Sequence, residues 1–199
     1  MKKTTIEKRR KEIFEAALNV FSEKGFDKTT LDEVADKVGI SKPAIYLYFN
    51  SKEDLFFSMI YDRVKDIEYE LNEIIKMEDH AIKKIEALIV FKIKFYKKNL
   101  RFFKILHNME FEIINLKSAT KLKKKFLKRY KDYINKISNL MQQCIDDGYL
   151  KNEDKYFYTF SLLGLINQNI LRFIIFDNND LLEDLSKKIY NQFLKGAKK

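Results

Sequence analysis

The chain has 199 residues, which suits one large domain or two small ones, and 46% of them are hydrophobic. A single cysteine excludes a fold held by intrachain disulfides, and 5 glycines with 1 proline are too few for the turns of an all-β protein. The formal net charge of +10 indicates an anionic partner, nucleic acid first and a membrane surface second.

Two helices separated by a short turn are predicted near the start of the chain. Apolar residues recur at helical spacing over residues 5–24, and Gly25 is placed to end this helix in a left-handed conformation. Thr30 begins the second helix, because Thr30 and Glu33 have the spacing of a capping box. Gly39 ends that helix after about two turns.

The third predicted helix follows at once and covers residues 42–49. Ser41 is in the position to cap it, and Pro43 lies in its first turn, where the missing amide hydrogen costs nothing. Ile45 and Phe49 are four residues apart, so we expect both side chains to face inward.

The rest of the chain also has the pattern of helices. Ser51, with Asp54 three residues later, is placed to cap a fourth helix over residues 52–77 that no glycine or proline interrupts. The further predicted helices cover residues 80–98, 100–113, 118–147 (ended by Gly148), 153–176 and 180–195. The sequence therefore predicts an all-α fold of about nine helices.

Two short helices joined by a turn around a glycine, residues 31–38 and 42–49, have the layout of a helix-turn-helix motif. The second helix of such a motif can lie in the major groove of DNA. Side chains that can bond phosphates or base edges from this helix are Lys42, Tyr46 and Tyr48. Groups at helix starts that can clamp phosphates are Thr30, Ser41 and Lys52.

Residues 6–60 contain three characteristic stretches, which are TTLDEVA at 29–35, GISKPAIYLYF at 39–49 and SKEDL at 51–55. In their order and spacing these stretches resemble the DNA-binding head of TetR-type transcriptional regulators. The resemblance implies a DNA-binding domain over residues 1–51, with the helix-turn-helix motif at about 30–49. It also implies a helical ligand-binding and dimerisation domain over residues 52–199. The implied DNA-contacting residues are Thr30, Ser41, Lys42, Pro43, Ala44, Tyr46, Leu47, Tyr48 and Lys52.

The head departs from the common family pattern at three positions. Glycine is frequent where Pro43 stands, histidine where Tyr48 stands, and a basic residue where Asn50 stands. These departures leave the expected fold intact, but the base-reading contacts of the family do not carry over directly.

The resemblance also implies a homodimer that binds a palindromic operator, with recognition helices about 34 Å apart. Helices at about 153–176 and 180–195 of each subunit would form the interface. This accounts for the uncharged stretch at residues 156–171, whose apolar face would pack on the core and on the partner. Gly164 in this stretch has two interpretations, a close helix approach at the interface or a tolerated glycine.

A pocket for a small, hydrophobic effector is implied between residues 80 and 176. The candidate pocket residues are Phe91, Phe95, Phe103, His107, Phe111, Tyr130, Tyr133, Met141, Phe160, Asn167 and Arg172. A plain core role is the favoured alternative for each aromatic residue. Asn167 and Arg172 are more informative, because polar groups on a buried helix need partners in a pocket or across a dimer.

Most of the basic excess lies between residues 92 and 131 rather than in the DNA-binding head. Its favoured interpretation is a solvated face. The alternative is that these lysines add long-range attraction to DNA without reading sequence.

No pattern in the sequence indicates an enzyme, a metal site or a cofactor. The chain has no glycine-rich phosphate loop and no metalloprotease or nucleophile-elbow motif. His80 and His107 are far apart, and Cys144 lies in an apolar helical stripe typical of a packed thiol. No segment has the length and apolarity of a membrane span, and no signal peptide is evident, so a cytoplasmic protein is expected.

These expectations combine into one prediction, a dimeric repressor that a small effector releases from its DNA operator. The alternative is a regulator on the same fold that a protein partner controls, with no small-molecule ligand. A peripheral membrane protein fits less well, because tyrosines between helix caps suit DNA contact and not lipid insertion.

Overall fold

The computed structural model describes residues 2–108, 121–176 and 184–197. Within these ranges it contains nine α-helices and no β-strand, which confirms the all-α prediction. The helices are α1 (Lys2–Lys24), α2 (Leu31–Val38), α3 (Lys42–Ile45), α4 (Lys52–Lys76), α5 (Ala81–Lys98), α6 (Leu100–Asn108), α7 (Lys121–Asp146), α8 (Lys155–Phe176) and α9 (Leu185–Ala197). The parts of the predicted helices at 109–113, 118–120 and 180–183 lie outside the described residues.

The helices belong to two compact units. The first unit comprises Met1–Arg63 and Arg101–Leu127, and the second comprises Val64–Leu100 and Lys128–Lys199. Helices α4 and α7 therefore have residues in both units.

Four helix ends lie where the local sequence predicted them. Gly25, Gly39 and Gly148 all have positive φ angles, of 78°, 75° and 77°, in the left-handed region that glycine adopts without steric cost. The Ser51 hydroxyl accepts from the amide of Asp54 at 3.1 Å, which confirms the predicted cap at the start of α4.

Phenylalanine side chains dominate the core of the first unit. Phe21, Phe26, Phe56 and Phe57 are all at least 95% buried, and we call them the phenylalanine cluster. Within it, the Phe26 ring centroid lies 5.1 Å from that of Phe56 and 5.5 Å from that of Phe21. Each buried ring stabilises the unit by roughly 1.5–3 kcal/mol through the apolar surface that it removes from water.

A separate apolar core fills the second unit between α4, α5, α7, α8 and α9. Leu71, Ile85, Ile137, Leu162 and Ile189 represent these helices in the core, and each is at most 1% exposed. Where polar groups enter this core they have partners. The hydroxyls of Ser138 and Thr159, for example, lie 3.0 Å apart between α7 and α8.

No helix among residues 2–108, 121–176 and 184–197 is long and apolar enough to cross a membrane. Helix α8, which contains the uncharged stretch, instead packs one side into the core through buried residues such as Leu162, Ile166 and Ile170.

The left-handed conformation of Gly39 makes a testable prediction. Gly39→Ala should lower the free energy of unfolding by about 1–2 kcal/mol, because the added Cβ is strained at positive φ although space is open around it. Urea unfolding followed by circular dichroism measures this. Gly196→Ala in the last turn of α9 is the matched control, and it should leave stability equal or higher, because Gly196 has no positive φ and alanine favours helical backbone. Wild-type stability of Gly39→Ala would contradict the prediction.

Candidate nucleic-acid interface

Two reciprocal hydrogen bonds fix the start of α2. The Glu33 amide donates to the Thr30 hydroxyl oxygen at 3.2 Å, and the Thr30 amide donates to a Glu33 carboxylate oxygen at 2.9 Å. This is the predicted capping box. At the other end, the Gly39 amide bonds the Asp36 carbonyl and the Ile40 amide bonds the Ala35 carbonyl, which closes the helix in a Schellman motif.

The third helix is shorter than the predicted 42–49. Regular α-helix ends at Ile45, and the amides of Leu47 and Tyr48 bond carbonyls three residues back, at 3.2 Å and 3.0 Å. Such bonds wind the last turn more tightly than an α-helix. Ile45 and Phe49 nevertheless both face inward as predicted and are 0% and 1% exposed.

Ser41 occupies the N-cap position of α3, but its side chain makes no capping hydrogen bond. The predicted cap bond is therefore wrong. The extended Ser41 backbone places the residue correctly, and the exposed hydroxyl is left available for another acceptor or donor, such as a phosphate.

The predicted DNA-contacting residues form a mostly exposed surface on the motif. Tyr46 and Leu47 are 52% and 85% exposed, although they directly follow the buried Ile45. The other exposed members are Thr30, Ser41, Lys42 and Pro43, and the half-buried ones are Ala44, Tyr48 and Lys52.

Ion pairs surround this surface. The Lys42 ammonium lies 3.1 Å from a carboxylate oxygen of Asp32, and this hydrogen-bonded contact raises the pKa of Lys42. On the other side of α2, Lys24 pairs with Glu33 at 2.5 Å; hydrogen bonds from Lys24 and from the Thr30 amide lower the pKa of Glu33. Both pairs are exposed and exchange partners at little cost, so Lys42 can leave Asp32 for a phosphate.

Lys52 has an internal role in the structure. Its ammonium donates to the Phe26 carbonyl at 2.7 Å and to the Asp27 carbonyl at 3.0 Å, and it lies 4.4 Å from the centre of the Phe26 ring. The side chain thus holds the turn between α1 and α2 against the start of α4. Its predicted contact with a DNA phosphate stays a prediction.

Sequence reasoning missed the partners of Lys42 and Lys52. Asp32 lies ten residues from Lys42, and Phe26 lies 26 residues from Lys52, so no helical spacing relates them. Only the packing of α3 on α2, and of α4 on the turn after α1, brings these groups together.

The residues predicted for an effector pocket are dispersed in the structure. Met141 and Tyr133 are buried in the second unit, whereas Phe160 and Arg172 are exposed on α8. Phe103 lies in the first unit, where its ring is 5.4 Å from that of Phe102. Phe111 and the His107 side chain lie outside the described residues.

Three of the predicted pocket residues meet around one polar cluster of the second unit. The Tyr133 hydroxyl accepts a hydrogen bond from Lys92 at 2.9 Å, and Tyr130 stacks on Tyr133 with 6.4 Å between ring centroids. The Tyr96 hydroxyl donates to the Asn167 side-chain oxygen at 2.7 Å.

The rings of Phe91 and Phe95 lie on α5 with their centroids 5.6 Å apart. Phe91 also lines a groove of about 610 Å³ between α4 and α5, with Ile74 and Val90 at its apolar part and Glu70 and Lys94 among its charged residues. None of the other predicted pocket residues lines this groove.

The basic segment is only partly described. Lys124, Lys125 and Lys128 on α7 are exposed, and Lys124 and Lys125 belong to the first unit, which also holds the helix-turn-helix motif. The accessory DNA contact of these lysines stays a prediction. Within the described ranges, no group of three or more His, Cys, Asp or Glu residues could hold a metal ion.

A helix-turn-helix with an exposed second helix, on an all-α chain, defines a DNA-binding protein of the helix-turn-helix class. Residues 13–59 match the sequence pattern of the bacterial regulatory proteins of the tetR family. The uncharacterized HTH-type transcriptional regulator YfiR of Bacillus subtilis (strain 168) is 31% identical over 144 residues, which are 71% of this chain and 68% of that protein. The chain therefore belongs to the TetR family of transcriptional regulators.

Two further comparisons extend over nearly the whole chain. The fatty acid metabolism regulator protein of Bacillus subtilis (strain 168) is 25% identical over 188 residues, 93% of each protein. A solved transcriptional regulator of the TetR/AcrR family from Thermobifida fusca YX-ER1 superposes with a TM-score of 0.72 at 27% identity, over 95% of this chain and 98% of that one. The TetR family consists of transcriptional regulators and not of enzymes, so the chain is a DNA-binding regulator.

The Lys52 contacts predict a stability effect. Lys52→Met should lower the free energy of unfolding by about 1.5–3 kcal/mol, because two carbonyls lose a charged donor. Thermal unfolding of the full chain measures it. Lys42→Met is the control, since its exposed ion pair contributes little to stability. Equal midpoints for Lys52→Met and the wild type would show that the contact does not hold the turn.

Proposed function

We propose that the protein is a homodimeric repressor that binds a palindromic DNA operator through α3 and leaves it when a small, mostly hydrophobic effector binds. The observation that carries the DNA-binding part is the division between buried and exposed residues in α3 and the tight turn after it. Ile45 and Phe49 anchor this segment in the core, while Tyr46 and Leu47 between them are exposed. An anchored element with exposed side chains suits insertion into the major groove.

Each exposed group has a specific task in this proposal. The Tyr46 hydroxyl and the Lys42 ammonium bond phosphates, and the exposed Leu47 packs on apolar base edges such as thymine methyl groups. Residues 1–51 act as the DNA-binding domain and residues 52–199 as the regulatory and dimerisation domain. Helix α4 starts directly after the motif and continues into the second unit, so it is one of the chain's covalent connections between the two functions.

The Tyr46 assignment is tested by removing one oxygen. Tyr46→Phe should weaken binding to an operator fragment by roughly tenfold or more, because one hydrogen bond to a charged phosphate is lost while the fold is kept. Fluorescence anisotropy with labelled DNA measures the affinity. Tyr69→Phe, an exposed tyrosine on α4, is the matched control and should bind as the wild type does. Wild-type affinity in Tyr46→Phe would remove the phosphate contact from the proposal.

The dimer is supported by the outward side of α8. Phe157, Phe160, Ile175 and Phe176 are 55–70% exposed on this helix, and its inward side is already buried in the core. A large apolar surface of this kind is typical of a protein–protein interface. A Cβ added at Gly164 would meet no atom within 4 Å apart from its chain neighbours and the nearby backbone of its own helix, so a partner helix has room to approach there. We propose that α8 and α9 of two subunits form the interface.

A charge placed on this side should break the dimer. Phe160→Glu is expected to sediment as a monomer in analytical ultracentrifugation at concentrations where the wild type is a dimer, because the buried carboxylate would lack a partner. Tyr69→Glu places the same charge at a residue of similar exposure, 64%, on α4 and should remain dimeric. A dimeric Phe160→Glu would locate the interface elsewhere.

The effector is assigned to the second unit, where contacts between α4 and α7 could report its binding. Arg129 forms a two-bond ion pair with Glu68, and the Lys136 ammonium donates to the Asn72 side-chain oxygen at 2.7 Å. Arg129 is next to Tyr130 of the polar cluster, so a ligand there would act on a helix that is bonded to α4. The fatty acid metabolism regulator among the relatives supports trying long aliphatic effectors first.

A protein partner in place of a small effector is the second candidate. The groove between α4 and α5, which both apolar and charged residues line, is the observation that favours it. Thermal shift screening separates the two candidates. Stabilisation by hydrophobic small molecules that also release DNA supports the first, and the absence of any such molecule supports the second.

A further inference from the structure

A lysine side chain lies inside the apolar core of the second unit. Lys92 is only 7% exposed, and its neighbours along α5, Ile89 and Ile93, are core residues at 0% and 5%. Charged side chains are rarely buried to this extent unless they are paired, because removing an ion from water costs several kcal/mol.

The interactions of Lys92 do not include a carboxylate among the residues that the structure describes. Its ammonium donates to the Tyr133 hydroxyl at 2.9 Å and lies 5.2 Å and 5.4 Å from the ring centres of Tyr133 and Tyr96. Tyrosine rings stabilise a cation moderately, but they leave its charge uncompensated.

The cluster has more hydrogen-bond donors than acceptors. An ammonium has three N–H donors, and in the described structure the Lys92 ammonium bonds two tyrosine hydroxyls, those of Tyr133 and Tyr96. The Tyr133 hydroxyl accepts that bond and still has its own hydrogen to donate, and burial raises the pKa of Tyr133, so the hydrogen is kept. These unused donors point to a partner that brings oxygen acceptors and negative charge.

The cluster also extends to the surface of the second unit. Tyr130, which stacks on Tyr133, is 45% exposed, and Asn167, which accepts from Tyr96, is exposed. Helices α5, α7 and α8 thus each contribute to a series of polar groups that leads from solvent to Lys92.

We propose that Lys92 and Tyr133 form the binding site for the acidic head group, a carboxylate or a phosphate, of an amphipathic organic anion. This inference rests on the proposed function, because it names the chemical class of the effector. In the complex, the Lys92 ammonium pairs with the head group, the Tyr133 hydroxyl donates to it, and the apolar part of the ligand packs on core side chains.

A purely structural role for Lys92 fits the surroundings less well. A methionine of similar length would fill the same apolar space with no charge to bury, and replacing buried charges by apolar residues is often stabilising. Compared with methionine, a lysine at this position therefore makes the unliganded protein less stable but allows it to bind an anion.

The experiment compares three ligands with the same ten-carbon chain, which are decanoate, decyl phosphate and neutral 1-decanol. Isothermal titration calorimetry of the full-length wild-type protein should show tighter binding of at least one anion than of the alcohol. Whichever anion binds more tightly identifies the head group as carboxylate or phosphate. Lys92→Met should weaken binding of that anion at least about tenfold and leave 1-decanol binding unchanged.

Two further variants control this result. Lys94→Met removes an exposed lysine from the same helix and should keep the preference for the anion. Tyr133→Phe removes only the hydroxyl and should weaken anion binding by a smaller factor than Lys92→Met. In thermal unfolding without ligand, Lys92→Met should have a Tm equal to or above that of the wild type, which also shows that it folds.

Any one of three results would overturn the inference. The wild type could bind neither anion, it could bind anion and alcohol equally well, or Lys92→Met could keep the preference for the anion. Operator binding measured in parallel separates this from the proposed function. Release of DNA by 1-decanol at the same concentrations as by the anions would uphold the effector-released repressor and reject the anion site. Lys92-dependent anion binding that leaves operator occupancy unchanged would uphold the site and reject the proposed release.

Discussion

Burial of phenylalanine rings is the constraint on which the DNA-binding unit depends. Helix α2 has eight residues and α3 has four, and helices this short are unstable alone in water. They persist because Ile45 and Phe49 are buried and because the phenylalanine cluster joins α1, the following turn and α4. The Lys52 ammonium also donates a hydrogen bond to the Phe26 carbonyl and lies over the Phe26 ring, which stabilises the turn that contains Phe26. Once these side chains are buried, Tyr46 and Leu47 have no remaining space in the core and must face outward.

The second unit is organised differently, because its core contains polar groups that are paired within it. Ser138 with Thr159 shows the ordinary solution, a hydrogen bond that satisfies both hydroxyls at a helix contact. Lys92 departs from this solution, since the tyrosines around it compensate its charge only in part. A stabilising role does not explain a buried lysine of this kind, whereas the proposed binding of an anionic ligand does. The outward side of α8 exposes more aromatic surface than is usual for a helix that faces solvent, and the proposed dimer interface explains this.

Local patterns predicted the helix ends well, because each depends on residues close in sequence. The capping box of Thr30 and Glu33 and the left-handed Gly25 and Gly39 are such cases. The early end of α3 was not predictable, since hydrophobic spacing does not distinguish bonds to the third residue back from bonds to the fourth. The contacts of Lys52 and Lys92 were also missed, because their partners lie 25 to 41 residues away and only the tertiary packing joins them.

The central claim is that the TetR-family helix-turn-helix reads a palindromic operator as a dimer. Selection of bound fragments from genomic DNA by the purified full-length protein, followed by sequencing, tests it most directly. The account predicts enrichment of a few sites that share an inverted repeat, with half-sites spaced about one turn of B-DNA so that two copies of α3 reach successive major grooves. Fragments that are not enriched over input DNA, or that share no inverted repeat, would contradict it.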